Sequence, residues 1–342
     1  MSIRISWSQI QKFMSCQRKW SLEYQQGLQR KKTDSTALRR GFMFHAAMEA
    51  YLLNGYSMSA AMDALADTML DYQNQGYEIT ADYDNVKTSF QYYVPRMGWG
   101  VHKHVVSQMP DGGLIKGYAP DSVPLVEYEF MYELTPDISI SGFVDAVVYD
   151  DSHDMYIVCD WKYRSRMQSE LSAGIDGQLH LYAAILNDLL PDAPIEAVEM
   201  WQFRNNPPSP PRLKADGTPS IAAQTATWNS WWNGLPYGHK YNADVWAKKM
   251  NPKLKEESYF VQVTQSAVTT FSNSDALNNA TSAGTAMLLA QQFALYPATL
   301  SAYTCSLCSH KDLCETARYG DDLTTLIADR YELPLDTVDP IV

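Results

Sequence analysis

The spacing of apolar positions changes along the chain, and the changes divide it into elements. Between residues 6 and 24, Ile10, Phe13, Met14 and Trp20 recur at helical spacing among polar and basic residues, which predicts a short opening helix with these four on its buried face. From Gly41 to about residue 75 the period stays helical, through Phe42, His45, Met48 and Leu52 and then an Ala/Met/Leu-rich stretch after Ser57. Residues 81–95 add another helix. Three Gly and three Pro between Met109 and Pro124 end this helical region. Strand patterns follow at 125–134, 138–149 and 155–163, the last two joined by an acidic turn at 150–154. Residues 176–190 return to a helical period, and 196–203 reads as a strand. Residues 259–264 read as an edge strand and 274–295 as a helix. The order β-β-β-α-β implies a mixed sheet with helices packed on it, an α/β core. Residues 205–220, rich in Pro, Asn and Ser, read as a loop or insertion. Trp228, Trp231 and Trp232 follow it, and the area a tryptophan buries favours packing over stacking on bases.

Length and composition add limits. The 342 residues, 46% apolar and 19% charged, suffice for one large or two ordinary domains with sizeable cores. We place boundaries near 115/116 and 270/271: a helical region at 1–115, a central core at 116–270 with an insertion near 205–240, and a C-terminal segment at 271–342. No apolar run approaches the roughly 18 residues that span a bilayer, and the first residues lack a secretory pattern, so a cytoplasmic protein without membrane contact is expected. A net charge of -12 argues against a passive nucleic-acid coat. Its distribution is uneven, because residues 1–40 hold nine Lys or Arg against Glu23 and Asp34, a local +7, while the other 302 residues carry -19. Arg30, Lys31, Lys32, Arg39 and Arg40 form the densest part, suited to a phosphate-binding patch or to a solvated face.

Two strands carry charge where an apolar residue belongs. Asp145 interrupts Ser141–Val148, and Asp160 and Lys162 interrupt Met155–Lys162. Burial of an unpaired carboxylate is costly, so each needs a cation or several donors. The strand period of two puts Asp160 and Lys162 on one face and Cys159 and Trp161 on the other. Two carboxylates and a lysine at neighbouring strand ends suit phosphodiester hydrolysis, in which the acids hold Mg²⁺ or Mn²⁺ and the lysine orients or deprotonates water and offsets developing charge. The alternative is a buried Asp160–Lys162 ion pair, with Asp145 satisfied by a turn. A second cluster, Cys305-x2-Cys308-x5-Cys314, has its nearest further thiol besides Cys159 in Cys16, 289 residues before Cys305. These four cysteines suit a structural metal, or are unrelated reduced thiols. Cys159 reads as a small core residue.

The order Gly41-Phe-Met-Phe-His45, Gly142-Phe-Val-Asp145, Asp160-Trp-Lys162 and Gln178-Leu-His-Leu-Tyr182 resembles the RecB-like branch of the PD-(D/E)XK nuclease superfamily over most of the chain. The segment around Cys16 and the C-terminal cysteine triplet are similar to its iron-sulfur subgroup, although Gln17 stands where that subgroup usually has proline. The resemblance implies a restriction-endonuclease-like mixed sheet flanked by helices, with an N-terminal helical region and a C-terminal iron-sulfur segment. It makes His45 a metal ligand, Asp145 and Asp160 carboxylate ligands, the Trp161 carbonyl a completing ligand and Lys162 the catalytic lysine. Gln178 and Tyr182, four apart on one helical face, would position the phosphate or the lysine. Glu129 is a candidate for a second cation, and Glu49 for an orienting partner of His45. Cys16, Cys305, Cys308 and Cys314 would hold a 4Fe-4S cluster that staples the two ends of the protein, with a zinc site as the alternative.

The implied activity is a metal-dependent exonuclease on single-stranded DNA or DNA ends, in recombination, repair or phage DNA processing. A structure-selective endonuclease, an RNA-processing nuclease and a nonhydrolytic DNA-binding scaffold are the alternatives. The chain has no G-x4-G-K-[ST] phosphate loop, so unwinding belongs to a separate helicase, and a recombinase or CRISPR adaptation protein is the other expected partner. The basic residues 30–40 precede the His45 motif and are expected beside the scissile strand.

Overall fold

The computed structural model describes residues 2–31, 35–191, 194–306 and 308–332. The N-terminal part contains β1 (Ile3–Ile5), α1 (Trp7–Ser15), α2 (Gln17–Trp20), β2 (Gln29–Arg30), α3 (Thr36–Leu53), α4 (Met58–Asn74) and α5 (Thr80–Tyr93). The strands β3 (Lys103–Gln108), β4 (Leu114–Lys116), β5 (Val123–Pro124), β6 (Val126–Thr135), β7 (Ile138–Asp150) and β8 (Met155–Arg164) follow. After α6 (Glu170–Gly174), α7 (Gly177–Leu189) and β9 (Ile195–Arg204), an excursion carries α8 (Trp228–Gly234) and α9 (Ala243–Met250). The chain returns as β10 (Val261–Ala267) and continues through α10 (Thr270–Phe293), α11 (Ala302–Ser306), α12 (Lys311–Tyr319), α13 (Leu323–Arg330) and β11 (Tyr331–Glu332).

One mixed sheet runs β10-β9-β8-β7-β3-β4, with β1 and β6 also paired to β7 and β5 to β3. Strands from both sides of residue 115 therefore share one sheet. The expected edge strand near 259–264 is β10, at the end of that order. Helices cover both faces. Ile10 and Phe13 of α1, Leu179 and Ile185 of α7 and Met287 of α10 pack on one face. Phe44, Met48 and Leu52 of α3, Leu65 of α4 and Phe90 of α5 pack on the other. This double cover explains the almost continuous apolar run of β8, in which Ile157 through Trp161 are all buried. Of the opening stripe, Ile10, Phe13 and Trp20 are buried, whereas Met14 is 70% exposed. The helical period breaks at Cys16, whose backbone is extended (φ -166°, ψ 110°), and the break turns α2 away from the line of α1.

The two ends of the described chain meet. β2 pairs antiparallel with β11, and Leu28, Leu313 and Tyr331 form a small core between them. Buried His310 stacks on Tyr331 and reaches the Leu28 carbonyl at 3.0 Å. This pairing consumes the basic segment expected beside the scissile strand. Arg30 faces Asp312 at 3.7 Å, and the Lys31 ammonium donates to the Ala328 carbonyl at 2.8 Å. Arg39 is buried with its guanidinium 2.6 Å from Asp82, which also accepts from Arg40 at 2.8 Å. Arg39 and Arg40 thereby tie α3 to α5. Lys32 lies outside the described residues.

The tryptophans after residue 220 form a satellite core. Trp231 is fully buried with Ala226, Leu235 and Met250, and the Trp228 ring stacks 5.3 Å from Trp232.

Candidate active site

β7 meets β6 along one edge, and β1 and then β8 along the other. β1 ends at Ile140, and β8 pairs only from Ala146 onward, so residues 141–145 of β7 have no strand on that edge among the described residues. Continued across this fork, the β8 register would set Asp145 opposite Asp160. The Asp145 carboxylate instead turns into the gap and accepts the Trp161 N–H at 2.9 Å, replacing the missing ladder bond.

The hairpin register places Glu127 of β6 directly opposite Asp145, between the pairs Val126↔Ala146 and Tyr128↔Val144. Both strands change phase there. Phe130 and Val144 belong to one core, whereas Val126 and Ala146 belong to the other. Glu127 takes φ +45°, a left-handed conformation that costs a non-glycine residue on the order of 1–3 kcal/mol. Like charges directly across a ladder are destabilising. Strain and repulsion at one point of a buried sheet mark a position that an added cation would relieve.

The third side of the fork is α3, whose Met43, Phe44, Ala47 and Met48 face the sheet and leave His45 on its flank. His45 Nδ1 lies 3.4 Å from Glu127 and 4.0 Å from Asp145, while Nε2 donates to the Trp161 carbonyl at 3.0 Å. His45, Glu127 and Asp145 each offer a ligand atom within 4.8 Å of the others, the one such group of three among the described residues. Asp160 is buried. Its Oδ1 accepts from the Lys162 ammonium at 2.5 Å, and its Oδ2 has no hydrogen-bond partner. An orphaned, buried carboxylate oxygen beside a carboxylate-rich gap fits a hard divalent cation, and so does the donor set of carboxylates, one imidazole and one carbonyl.

The electrostatics follow from this crowding. Burial, then the Asp160 charge, push the Asp145 pKa up to about 7. Burial alone would lower the His45 pKa, but the hydrogen bond to Glu127 and the charges of Asp145 and Glu127 outweigh it and raise it. Lys162 behaves likewise: burial would favour the neutral amine, yet Asp160 and Asp145 hold it as an ammonium above its ordinary range. Glu49, one turn beyond His45, is raised by burial and by the charge of Glu127.

α7 closes the site from the other face of the sheet. Asp176 caps it, accepting from the Gln178 and Leu179 N–H groups at 2.9 and 3.4 Å. Burial and Asp160 raise the Asp176 pKa. Tyr182 is raised to about 12, first by burial, against a hydrogen bond with Gln178 that lowers it, and it lies within electrostatic reach of Asp160, Lys162 and Asp145. Gly142 makes room for this tyrosine, since a Cβ there would lie 2.6 Å from Tyr182 Oη and 3.0 Å from Phe130. The structure thus gathers His45, Asp145, Asp160, Trp161, Lys162, Gln178 and Tyr182 in one place. Glu129 is exposed and pairs with Phe143, and Glu127 is the carboxylate that faces His45. Neither Glu127 nor Asp176 was among the residues expected from the sequence.

The cysteines also come together. Cys16, Cys305, Cys308 and Cys314 line one cavity of about 320 Å³ between α1, α11 and α12, with Lys19 and Arg318 on its walls. The Thr299 N–H points at Cys16 Sγ at 3.5 Å. Burial and the neighbouring Cys308 and Cys16 raise the Cys314 thiol, partly offset by Arg18. No three of these sulfurs lie within 4.8 Å of one another. A single tetrahedral Zn²⁺ holds its sulfurs about 3.8 Å apart for bonds of about 2.3 Å, so the cavity is wider than one ion requires. Cys159, on the other face of β8 from Asp160, is buried with its sulfur 3.9 Å from Glu199.

A search of curated proteins gave no match. The model of the PD-(D/E)XK nuclease superfamily matches residues 4–315, a span that includes the fork, His45, Lys162 and all four clustered cysteines. Asp145, and Asp160 with a lysine two residues beyond it, match the acids and lysine in that superfamily's name, with Val144 where the name has proline, and the chain belongs to the PD-(D/E)XK nuclease superfamily.

Proposed function

We propose that the protein is a divalent-metal-dependent DNA exonuclease of the RecB-like, iron-sulfur kind, acting on single-stranded DNA or DNA ends. The observation that carries the hydrolytic reading is the orphaned Asp160 oxygen at the mouth of the β7–β8 fork, beside Asp145, His45 and the Trp161 carbonyl. Those groups, with Glu127, would hold Mg²⁺ or Mn²⁺. When bound, the cation polarises the phosphate and lowers the pKa of a bound water. Asp160 and Asp145 keep Lys162 cationic and in place, aimed where negative charge develops on the phosphate. Tyr182, with its pKa near 12, keeps its proton and remains a donor toward the phosphate, steadied by Gln178. With a dication held by these carboxylates, they would hold the Lys162 proton less strongly, and Lys162 would move toward a role as base.

The width of the four-thiol cavity supports a 4Fe-4S cluster over a single zinc ion. Its thiols come from both ends of the chain, so the cluster would bind the clasp that β2 and β11 begin. A helicase, recombinase or CRISPR adaptation protein would supply ends or open strands. Among the described residues no helix is long and apolar enough to cross a membrane.

The test uses anaerobically purified protein with Mn²⁺ on end-labelled linear and on circular single-stranded DNA, for wild type and Asp160→Ala. Cleavage of the linear strand only, lost in the variant while the visible absorbance of the cluster remains, is expected. Cleavage of circles would replace the exonuclease reading with an endonuclease. Inactivity of folded, cluster-loaded wild type on both substrates would overturn hydrolysis.

A further inference from the structure

The segment between β9 and β10 is a second basic stretch, besides residues 1–40. Residues 205–255 contain seven Lys or Arg against Asp216 and Asp244, a balance of +5 in a chain of -12. Arg212, Lys214, Lys248, Lys249, Lys253 and Lys255 are exposed, and Lys240 is half-buried. Elsewhere basic residues are commonly matched by carboxylates, as Arg39 is by Asp82, Lys103 by Glu199 and Lys116 by Asp151. Among the described residues, none of the seven in this segment has a carboxylate partner, although Lys253 and Lys240 donate to the Ile221 and Asn233 carbonyls at 2.7 and 2.8 Å, and Lys249 and Lys255 lie over the Trp246 and Tyr259 rings. Lys248 and Lys249 lie in the last turn of α9, where the helix dipole favours cations, but Lys253, Lys255, Arg212 and Lys214 lie beyond that effect.

Aromatic rings accompany these charges. Tyr237 is 92% exposed, the most exposed large apolar side chain described, and Tyr241 is 61% exposed, with Lys240 between them. The buried Trp231 and its neighbours give this surface a fixed base, which the 2.7 Å hydrogen bond between Tyr92 and Thr227 ties to α5.

The position of this surface links it to the active site. Arg204, at the end of β9, pairs in register with Arg164 of β8, two residues past Lys162, so the insertion begins about 7 Å beyond the lysine at strand spacing. Lys162 and Arg164 share one face of β8, and Arg166 is exposed two residues further on. From there a groove of about 680 Å³ runs between Gln168 and Ser169 on one side and Leu254 and Lys255 on the other, with Arg204 and Tyr259 between and Glu256 as its one acidic lining residue.

We propose that this insertion is a single-strand DNA grip that leads the substrate along Arg166 and the groove into the fork. The proposal rests on the nuclease reading for the identity of the strand. Cations without carboxylate partners supply backbone attraction, and exposed tyrosines supply faces on which unpaired bases stack, a pairing that favours single strands over duplex.

The test measures binding of a fluorescent oligothymidylate to full-length protein without divalent metal, where nothing is cut. Replacing Lys248, Lys249, Lys253 and Lys255 together by Gln should reduce the slope of log affinity against log salt by about 3, so that wild type loses about 50-fold more affinity than the variant between roughly 50 and 200 mM salt. Tyr237→Ala should weaken single-strand binding about fivefold or more and leave duplex binding unchanged, with Tyr237→Phe retaining wild-type affinity. Unchanged tryptophan fluorescence verifies folding of each variant. Hydrolysis of thymidine 5′-(4-nitrophenyl) phosphate reads the metal centre without the grip, and it should be equal in wild type and variants. If wild type hydrolyses neither this ester nor DNA, the nuclease reading fails, while the binding result still decides the grip. A wild-type salt slope in the fourfold variant, or tighter binding of RNA than of DNA, would overturn the proposal.

Discussion

Replacing Asp145 by Asn should stabilise the metal-free protein while removing its activity. Asp145 lies in the fork with Asp160 across the gap and Glu127 across the hairpin, and burial and then the Asp160 charge raise its pKa to about 7. In the unfolded chain it is near 3.9. The folded state therefore holds the proton more tightly, so this group's contribution is fully present below about pH 4 and is lost as pH rises through about 7. A shift of about three units corresponds to on the order of 4 kcal/mol, carried as a cost by metal-free wild type at pH 8. Asparagine removes the charge, its oxygen still accepts the Trp161 N–H, and its NH₂ group offers donors to the neighbouring carboxylates. Thermal unfolding of cluster-loaded, chelator-treated protein should show Asp145→Asn above wild type by several degrees at pH 8, with the gap closing toward about pH 5. Added Mn²⁺ should reverse the order, because binding to the folded state alone stabilises wild type by RT ln(1 + [L]/Kd). A variant less stable than metal-free wild type at pH 8, or a gap that does not change with pH, would refute this account of the fork.

Gly142→Ala should cost about 1–3 kcal/mol and slow turnover, since the new methyl meets Tyr182 and Phe130, both buried; denaturant unfolding should show Tyr182→Phe in that background recovering part of the loss. Lys162→Gln should lower kcat about 100-fold or more while leaving Mn²⁺ affinity within a few-fold of wild type, which metal titration separates from the rate. Cys16→Ser should abolish the visible absorbance of the cluster and lower Tm, because it removes the one cavity-lining thiol supplied by the N-terminal side of the clasp; equal melting of variant and wild type would show that the clasp holds without it.

Much of the fold was legible because burial imposes periods. The strand patterns at 125–134, 138–149 and 155–163 correspond to β6, β7 and β8, and the helical period at 176–190 to α7. What escaped was short or locally overridden. β1, β3 and β4 have three to six residues each, too few for a period to declare itself. Met14 fits the helical stripe but faces out, because the helix ends at Ser15 so that Cys16 can enter the cavity beside Thr299 in extended form. In the basic run at 30–40, sequence displays the charges without the carboxylates that face them. Asp312 and Asp82, which face Arg30, Arg39 and Arg40, lie 282, 43 and 42 residues away.

The site was legible where chemistry breaks a pattern and illegible where geometry shifts it. Asp145, Asp160 and Lys162 declare themselves as charges inside apolar strands. Glu127 does not, because it lies near a strand start and two residues before Glu129, which looks equally suited. Choosing between them requires the register of the β6–β7 hairpin. Counting back from the turn pair Thr135↔Ile138 puts Tyr128 opposite Asp145, with one glutamate on each side. The irregularity between Glu133 and Thr135 moves the pairing by one residue and sets Glu127 opposite Asp145. Without that bulge Tyr128 would stand opposite Asp145, so the bulge is what brings an acid to the fork. The left-handed backbone of Glu127 then turns the chosen carboxylate toward His45. Glu127→Ala should therefore weaken Mn²⁺ binding, whereas Glu129→Ala leaves it unchanged; the opposite result would require a hairpin register two residues away from this one and would refute the placement.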